Sequence, residues 1–443
     1  MGSPILTLAF LSLSACGPGH ETGSADPGVL SDPTWRLHAQ IASLVYVGWQ
    51  QATAGAVHVE YSFDPDEWLS SPTFEAQAGA QEQLLVGIPY QTEATWRVVT
   101  DGETLDGGAL QTGRVPTGLP TATVEVSDPE AWWSDGRFLL TSINQVQGGW
   151  TGGNYWTLIL DRRGRPVWAQ LAPHGDWTLF AQVSADGGSI LWDQATAWSR
   201  WDQGAASTVH RTWLDEEIEV IPTPGLHHAF VELPDGTLVW GSKAHAERTE
   251  ALVERGPGAE KDRVIWTCAQ DWPGVGNCES NGLFWVEATD SFLYSFYTNN
   301  SVVEVDRAGG ASRWWAGQVA DGYSFDPPES QFSWQHGITL TPAGTLLVST
   351  TNDGTTGVKE YQIDHDARAL REVWSFDSGV EANTNGDAWR LPNGNTLHLL
   401  GSAGWLVEVT PDGQAVWSAD FHGERLLGRG QLLPDLYALV KPR

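Results

Sequence analysis

Short apolar runs broken by turn residues recur along most of the chain. Tight turns of one kind stand in "WWSDGRFLL" (Gly136), "VSADGGSIL" (Gly187), "ELPDGTLVW" (Gly236), "EATDSFLYS" (Asp290), "LTPAGTLLV" (Gly344) and "RLPNGNTLH" (Gly394). Successive turns are 51, 49, 54, 54 and 50 residues apart. Most are followed by a second apolar pair around a different turn, as in "LILDRRGRPVWAQL", "VVEVDRAGGASRWWAG", "YQIDHDARALREVWSF" and "LVEVTPDGQAVWSAD". Apolar runs on both sides of such a turn predict a hairpin. Two hairpins per repeat give four strands, the content of one propeller blade. The six repeats between about 130 and 425 predict an all-β chain whose residues 126–443 form a six-bladed β-propeller. No stretch carries a sustained helical period.

Residues 35–125 follow another pattern. "ASLVYVGWQQ", "GAVHVEYSF", "EQLLVGIPY" and "TEATWRVVTDG" are strands at short spacing, which predicts a small β-sandwich of the immunoglobulin or fibronectin-III type. "QTGRVPTGLP", 111–120, reads as its exit linker. The first 16 residues read as a targeting segment: "ILTLAFLSLSAC" is apolar but too short to span a membrane. "LSAC" resembles a bacterial lipobox, which implies cleavage before Cys16 and a lipid on its sulfur. Residues 17–34 are rich in Gly, Pro, Ser and acid and read as a flexible tether. The expected location is the cell envelope, with the chain lipid-anchored at an outer membrane and facing the periplasm or the exterior. The lipid is then the only membrane contact.

Charge narrows the partners. Against 55 acidic residues stand 24 basic ones, a formal net charge of −31. Counterion release needs clustered Lys and Arg, so no nucleic-acid partner is expected. An anion site would have to be local. The 25 Trp read as β-core and strand-end packing. Cys268 and Cys278 remain after Cys16; in an oxidising compartment a loop-closing disulfide is preferred to a metal pair, because no second Cys or His pair lies nearby at ligand spacing. No metal and no cofactor is expected.

Aligning the turns places two histidines in one register. His336 lies six residues before Pro342, and His228 six before Pro234. The first strand of each blade lines the central channel, so both should converge at one mouth, from blades two apart. Two neutral nitrogen bases facing one polar pocket form a site-like arrangement. His174, His210, His245, His365, His398 and His422 fall on turns, linkers or outer strands and read as structural.

Over roughly 215–420 the chain resembles the bacterial arylsulfotransferase family. The likeness rests on "GLHHAFVELPDGTLVW", "NNSVVEVDRAGGASRWWAG", "FSWQHGITLTPAGTLLVSTTNDG", "VKEYQID" and "GDAWRLPNGNTLHLLGSAGWLVEVTPDG", in the family's order. It implies a periplasmic propeller that moves a sulfuryl group from a phenolic sulfate ester to a phenol through a sulfated histidine, without a nucleotide donor. The partners would be a small aromatic sulfate donor and a phenolic acceptor. By motif, His336 would be the nucleophile, and His228 or its neighbour His227 the histidine beside the reacting group. The family's His-x-Asn reads Glu279-Ser280-Asn281 here, and Tyr297 stands where its Arg is expected. Gly337 and Ala229 replace two expected aspartates. A sulfuryl transition state carries spread negative charge that cations stabilise, so Glu279 and Tyr297 each remove stabilisation. The alternative is a propeller lipoprotein that has lost the chemistry and binds a glycan, peptide or aromatic ligand. A quinone-dependent dehydrogenase is disfavoured by the repeat count and by the lack of a Ca²⁺-type carboxylate cluster.

Overall fold

The computed structural model describes residues 30–64, 67–148, 153–173, 176–195, 207–245, 249–272 and 274–442. Cys16, the lipobox, most of the tether and His174 lie outside these residues.

The chain folds as a six-bladed β-propeller preceded by a two-sheet β-sandwich. Four blades each take one stretch of chain. Blade 2 is Ala181–Val183, Ile190–Ala195, Ser207–Thr212 and Glu217–Pro222. Blade 3 is Leu226–Glu232, Leu238–Ser242, Ala251–Arg255 and Arg263–Thr267. Blade 4 is Ser280–Val286, Ser291–Phe296, Ser301–Asp306 and Ser312–Gly317. Blade 5 runs from His336–Leu340 through Leu346–Asn352 and Thr355–Asp364 to Ala369–Val380, with Ser324–Asp326 added in parallel outside.

Blades 1 and 6 draw on both ends of the domain. Blade 1 contains Phe138–Asn144, Tyr155–Asp161 and Pro166–Leu171, but its inner strand is Leu427–Leu433. The Gly136 turn therefore differs from the other five, because the strand it should follow comes from the far end of the sequence. Blade 6 is Asp387–Arg390, Thr396–Leu400, Trp405–Val409 and Ala415–Asp420, extended outside by Thr123–Ser127. The boundary expected at 125 thus falls inside a propeller strand. The tether boundary at 34 also moves: Leu30–Leu37 is a strand, anchored by buried Leu30 while the next six residues are exposed. An edge strand with one buried anchor has the composition of a linker.

Middle strands are buried on both faces because each blade is packed between neighbours. Ser291–Phe296 is buried throughout, whereas the outer strand Ala369–Val380 alternates with solvent. That difference explains why inner repeats read as apolar runs. The only α-helix among the described residues is Cys268–Asp271. Cys268 is disulfide-bonded to Cys278, with Cα atoms 6.3 Å apart, which ties this turn to the residue before Glu279.

The sandwich packs a three-stranded sheet against a five-stranded one around Val47, Val59, Trp96 and Val98. Its Asp64 pairs with Arg163 at 2.5 Å and Arg165 at 2.9 Å, and Tyr46 donates to Asp215 at 3.2 Å. Those partners sit on turns between the third and fourth strands of blades 1 and 2. Strand direction puts these turns at the opposite face from His336, so the sandwich docks away from the histidine mouth.

Candidate functional site

Backbone irregularities mark the site. The inner strands of blades 3, 4 and 5 shift register at Leu226/Phe230, Ser280/Gly282 and His336/Ile338. A bulge re-aims side chains and is common beside active sites. His228 takes a left-handed φ of 64°, which lets consecutive histidines project differently. His227 turns back to Glu250, its Nδ1 3.3 Å from Oε2, while the His228 ring faces Tyr297 with centroids 6.0 Å apart. Of the two, His228 is therefore the one directed at the shared pocket. The rings of His227 and His228 meet edge-on at 4.1 Å.

His336 is held from its own loop. Its Nδ1 is 3.0 Å from the carbonyl oxygen of Trp334, which can only accept. The proton is therefore on Nδ1 and the lone pair on Nε2. Trp334 has a left-handed φ of 45°, is half exposed, and donates its backbone N–H to Asn300 Oδ1 at 2.8 Å. Strain of this kind collects at functional sites. The Tyr297 ring lies between Trp334 (5.9 Å) and His336 (6.3 Å), nearly parallel to both. Gly337, where the resemblance expects Asp, has φ 66°, and a Cβ there would meet the Asp387 backbone at 2.6 Å. The neighbouring inner strand takes the room that an Asp side chain would need.

The substituted positions form a network. Tyr297 donates its hydroxyl to Glu279, and Lys243 Nζ is 3.2 Å from the same carboxylate. Burial pushes the Glu279 carboxyl up, but these two partners outweigh it and hold it below its ordinary value. Burial and then Glu279 push the Tyr297 phenol far up, so it stays protonated. Asn281 points elsewhere: its Nδ2 donates to the Gln335 carbonyl and its Oδ1 accepts from Ser295 at 2.9 Å. It braces the residue before His336.

Sequence reasoning missed five residues. Lys243 follows the second strand of blade 3, and Trp334 is two residues before His336. Glu250 is fully buried between blades 3 and 4. Asp387 and Arg429 belong to the inner strands of blades 6 and 1. Arg429 comes from the closing strand, which the turn register starting at Gly136 has no means of locating. Lys359 does not reach the channel; it donates to the Ser330 carbonyl at 2.8 Å. His398 is fully buried on the second strand of blade 6, not on an outer strand, with Nε2 3.0 Å from Ser349 Oγ. Ser349 is the ladder partner of His336.

Burial makes the histidines neutral. It pushes His336 down to about 4, against a weaker upward pull from the Trp334 carbonyl and with a further downward push from Arg429. His228 is pushed well down by burial and then by His227 and His336. Below the ordinary value of 6.5 the unfolded chain gains a proton at position 336 that the folded chain refuses until about pH 4. Stability should therefore fall across that window, by about 3 kcal/mol from this residue, and the loss should end near pH 4. Urea titrations of wild type and His336→Gln at several pH values check this; the variant should lose less on acidification.

No family model matches the chain, and no curated protein matches it. Solved structures give distant likenesses. A protein of unknown function from Bacteroides caccae is 14% identical, covering 66% of this chain and 98% of its own, with a TM-score of 0.44. The periplasmic gluconolactonase of Pseudomonas aeruginosa is 13% identical, covering 86% of this chain and 99% of its own, with a TM-score of 0.42. Virginiamycin B lyase from Staphylococcus aureus is 10% identical, covering 70% and 100%, with a TM-score of 0.38. Likenesses this distant carry no inference about what the mouth binds.

Proposed function

We propose that the channel mouth is a histidine-centred group-transfer site acting on aryl sulfate esters. The observation that carries this is His336: its Nδ1–H is engaged by the Trp334 carbonyl, burial keeps the ring neutral, and the Nε2 lone pair is ready to attack. In the first step a bond forms from Nε2 to the ester sulfur. The S–O bond breaks, and its electron pair leaves on the phenolate. In the second step an acceptor phenol attacks that sulfur, the N–S bond returns its pair to Nε2, and the phenol proton passes to a base. His228, neutral and in the same pocket, is placed for that proton. Lys243 and Arg429 supply positive charge near the transferring group in place of the cation missing at Tyr297.

A second reading has one observation in its favour. Glu279 engages both Lys243 and Tyr297 and sets a negative charge where sulfuryl oxygens would gather. On that reading the mouth holds a glycan, peptide or aromatic ligand without chemistry, and the location remains a lipid-anchored one in the cell envelope.

Rapid mixing with 4-nitrophenyl sulfate separates the two. Sulfuryl transfer should give a burst of nitrophenol equal to the enzyme present and one added SO₃ on the peptide containing His336. Its acid limb should lie near pH 4, where His336 gains its proton, and not near 6.5. No burst and no modified peptide, from folded protein with or without a phenol acceptor, would leave the binding reading.

A further inference from the structure

Arg429 is the point where the channel and the histidine layer meet. It stands on the closing strand Leu427–Leu433, and its Nη2 donates to the Asn281 carbonyl. Asn281 in turn donates to the Gln335 carbonyl, one residue from His336. The guanidinium lies 4.7 Å over the Phe180 ring. Among the described residues Arg429 is in no ion pair, although this chain carries more than two carboxylates for every cation. Its neighbour Asp387 attracts it, but both carboxylate oxygens accept from other donors: Oδ2 from Trp389 Nε1 at 2.8 Å and Oδ1 from the Ala388 N–H at 3.1 Å. A guanidinium presents five donors in a fork that matches an oxyanion. Leaving most of those donors unfilled inside a protein is costly unless something else completes them.

Beneath this layer the channel encloses about 240 Å³, with Arg429 and Asp387 on its wall and Phe180, Phe230, Phe284, Trp285 and Trp389 around it. All six inner strands contribute to the lining. A narrow aromatic chamber with, at its histidine end, a guanidinium that donates to a single carbonyl suits a single flat ring bearing one anionic group.

We infer that Arg429 and the aromatic channel below it bind the sulfate group and the ring of a single-ring aryl sulfate, with the sulfur presented to His336. This deepens the sulfuryl-transfer reading and rests on it for the class of ester. It also fixes an orientation: the donor's ring points down the channel, and the exposed Trp334 side of His336 is left to the acceptor. The overall negative charge repels anions at long range, so the local cation sets the affinity.

Calorimetric titration of the His336→Gln protein with 4-nitrophenyl sulfate, cyclohexyl sulfate and inorganic sulfate tests the inference without turnover. The aryl ester should bind best. Adding Arg429→Gln should weaken both esters by about 10–100-fold, the range for losing a charge-assisted pair, and Arg429→Lys should restore part of it. Adding Gln182→Trp, which fills the channel from a position lining it, should weaken the aryl ester but spare inorganic sulfate. Unchanged aryl-ester affinity in folded Arg429→Gln would overturn the assignment of the cation. Unchanged affinity in Gln182→Trp would overturn the placement of the ring. Binding that obeys these rules in a protein that never transfers sulfuryl groups would leave the site standing and remove the transfer reading alone.

Discussion

His336→Gln should abolish both the nitrophenol burst and the covalent sulfuryl adduct, while the protein remains folded. Glutamine keeps an N–H for the Trp334 carbonyl, so the loop holding position 336 loses little. It has no ring nitrogen with a lone pair, so no N–S bond can form. Transfer then needs the acceptor to attack the ester directly, with no covalent step between them. The variant should fall to background, whereas His228→Ala should slow transfer by roughly the 10²–10³-fold seen for losing one stabilising group. The ordering of the two effects matters more than their sizes. If His228→Ala abolishes the adduct and His336→Gln does not, the roles are exchanged and the tautomer held by Trp334 is not the reactive one. Quench-flow with 4-nitrophenyl sulfate and peptide mapping decide this, with thermal melts confirming that each variant folds.

Blade number was legible because propeller repeats impose the same burial on the same strand in every unit. The turns at Gly187, Gly236, Asp290, Gly344 and Gly394 each join an inner strand to a second strand. That register brought His228 and His336 to one mouth without any contact information. It failed at the closure, where blade 1 takes its inner strand from Leu427–Leu433 and blade 6 takes an outer strand from Thr123–Ser127. Closure is a long-range pairing, and no local pattern announces it. Arg429 was invisible for that reason. Lys243 and Glu250 were invisible for another: they lie between the second and third strands of blade 3, where no strand alternation assigns a face, and Asp387 has its role only through its packing against the strand that carries His336. The bulge at His227–His228 carries a sequence signal only in retrospect, as two adjacent histidines that one regular strand would send to opposite faces.

Glu250→Ala should be the most damaging single change in stability among the residues around the mouth, at about 3–5 kcal/mol. Glu250 is fully buried and accepts from four donors drawn from two blades. The Ser280 N–H reaches it at 2.5 Å and the Tyr294 hydroxyl at 3.1 Å, and Ser280 Oγ donates as well. His227 Nδ1 completes the set at 3.3 Å. Removing the carboxylate strands these donors where water does not reach, and each unsatisfied group adds its own desolvation cost. Glu250→Gln should cost less but should still destabilise, because one of its two heads becomes an NH₂ facing donors. Chemical denaturation of both variants checks the order. The damage should also travel: without Glu250 the His227 ring loses that carboxylate, and His228, packed edge-on against it, loses part of its aim at the pocket. A folded Glu250→Gln protein should therefore transfer sulfuryl groups more slowly than wild type, although no atom of residue 250 meets the substrate. Denaturation of Glu250→Ala within about 0.5 kcal/mol of wild type would show that the carboxylate is not the joint between blades 3 and 4.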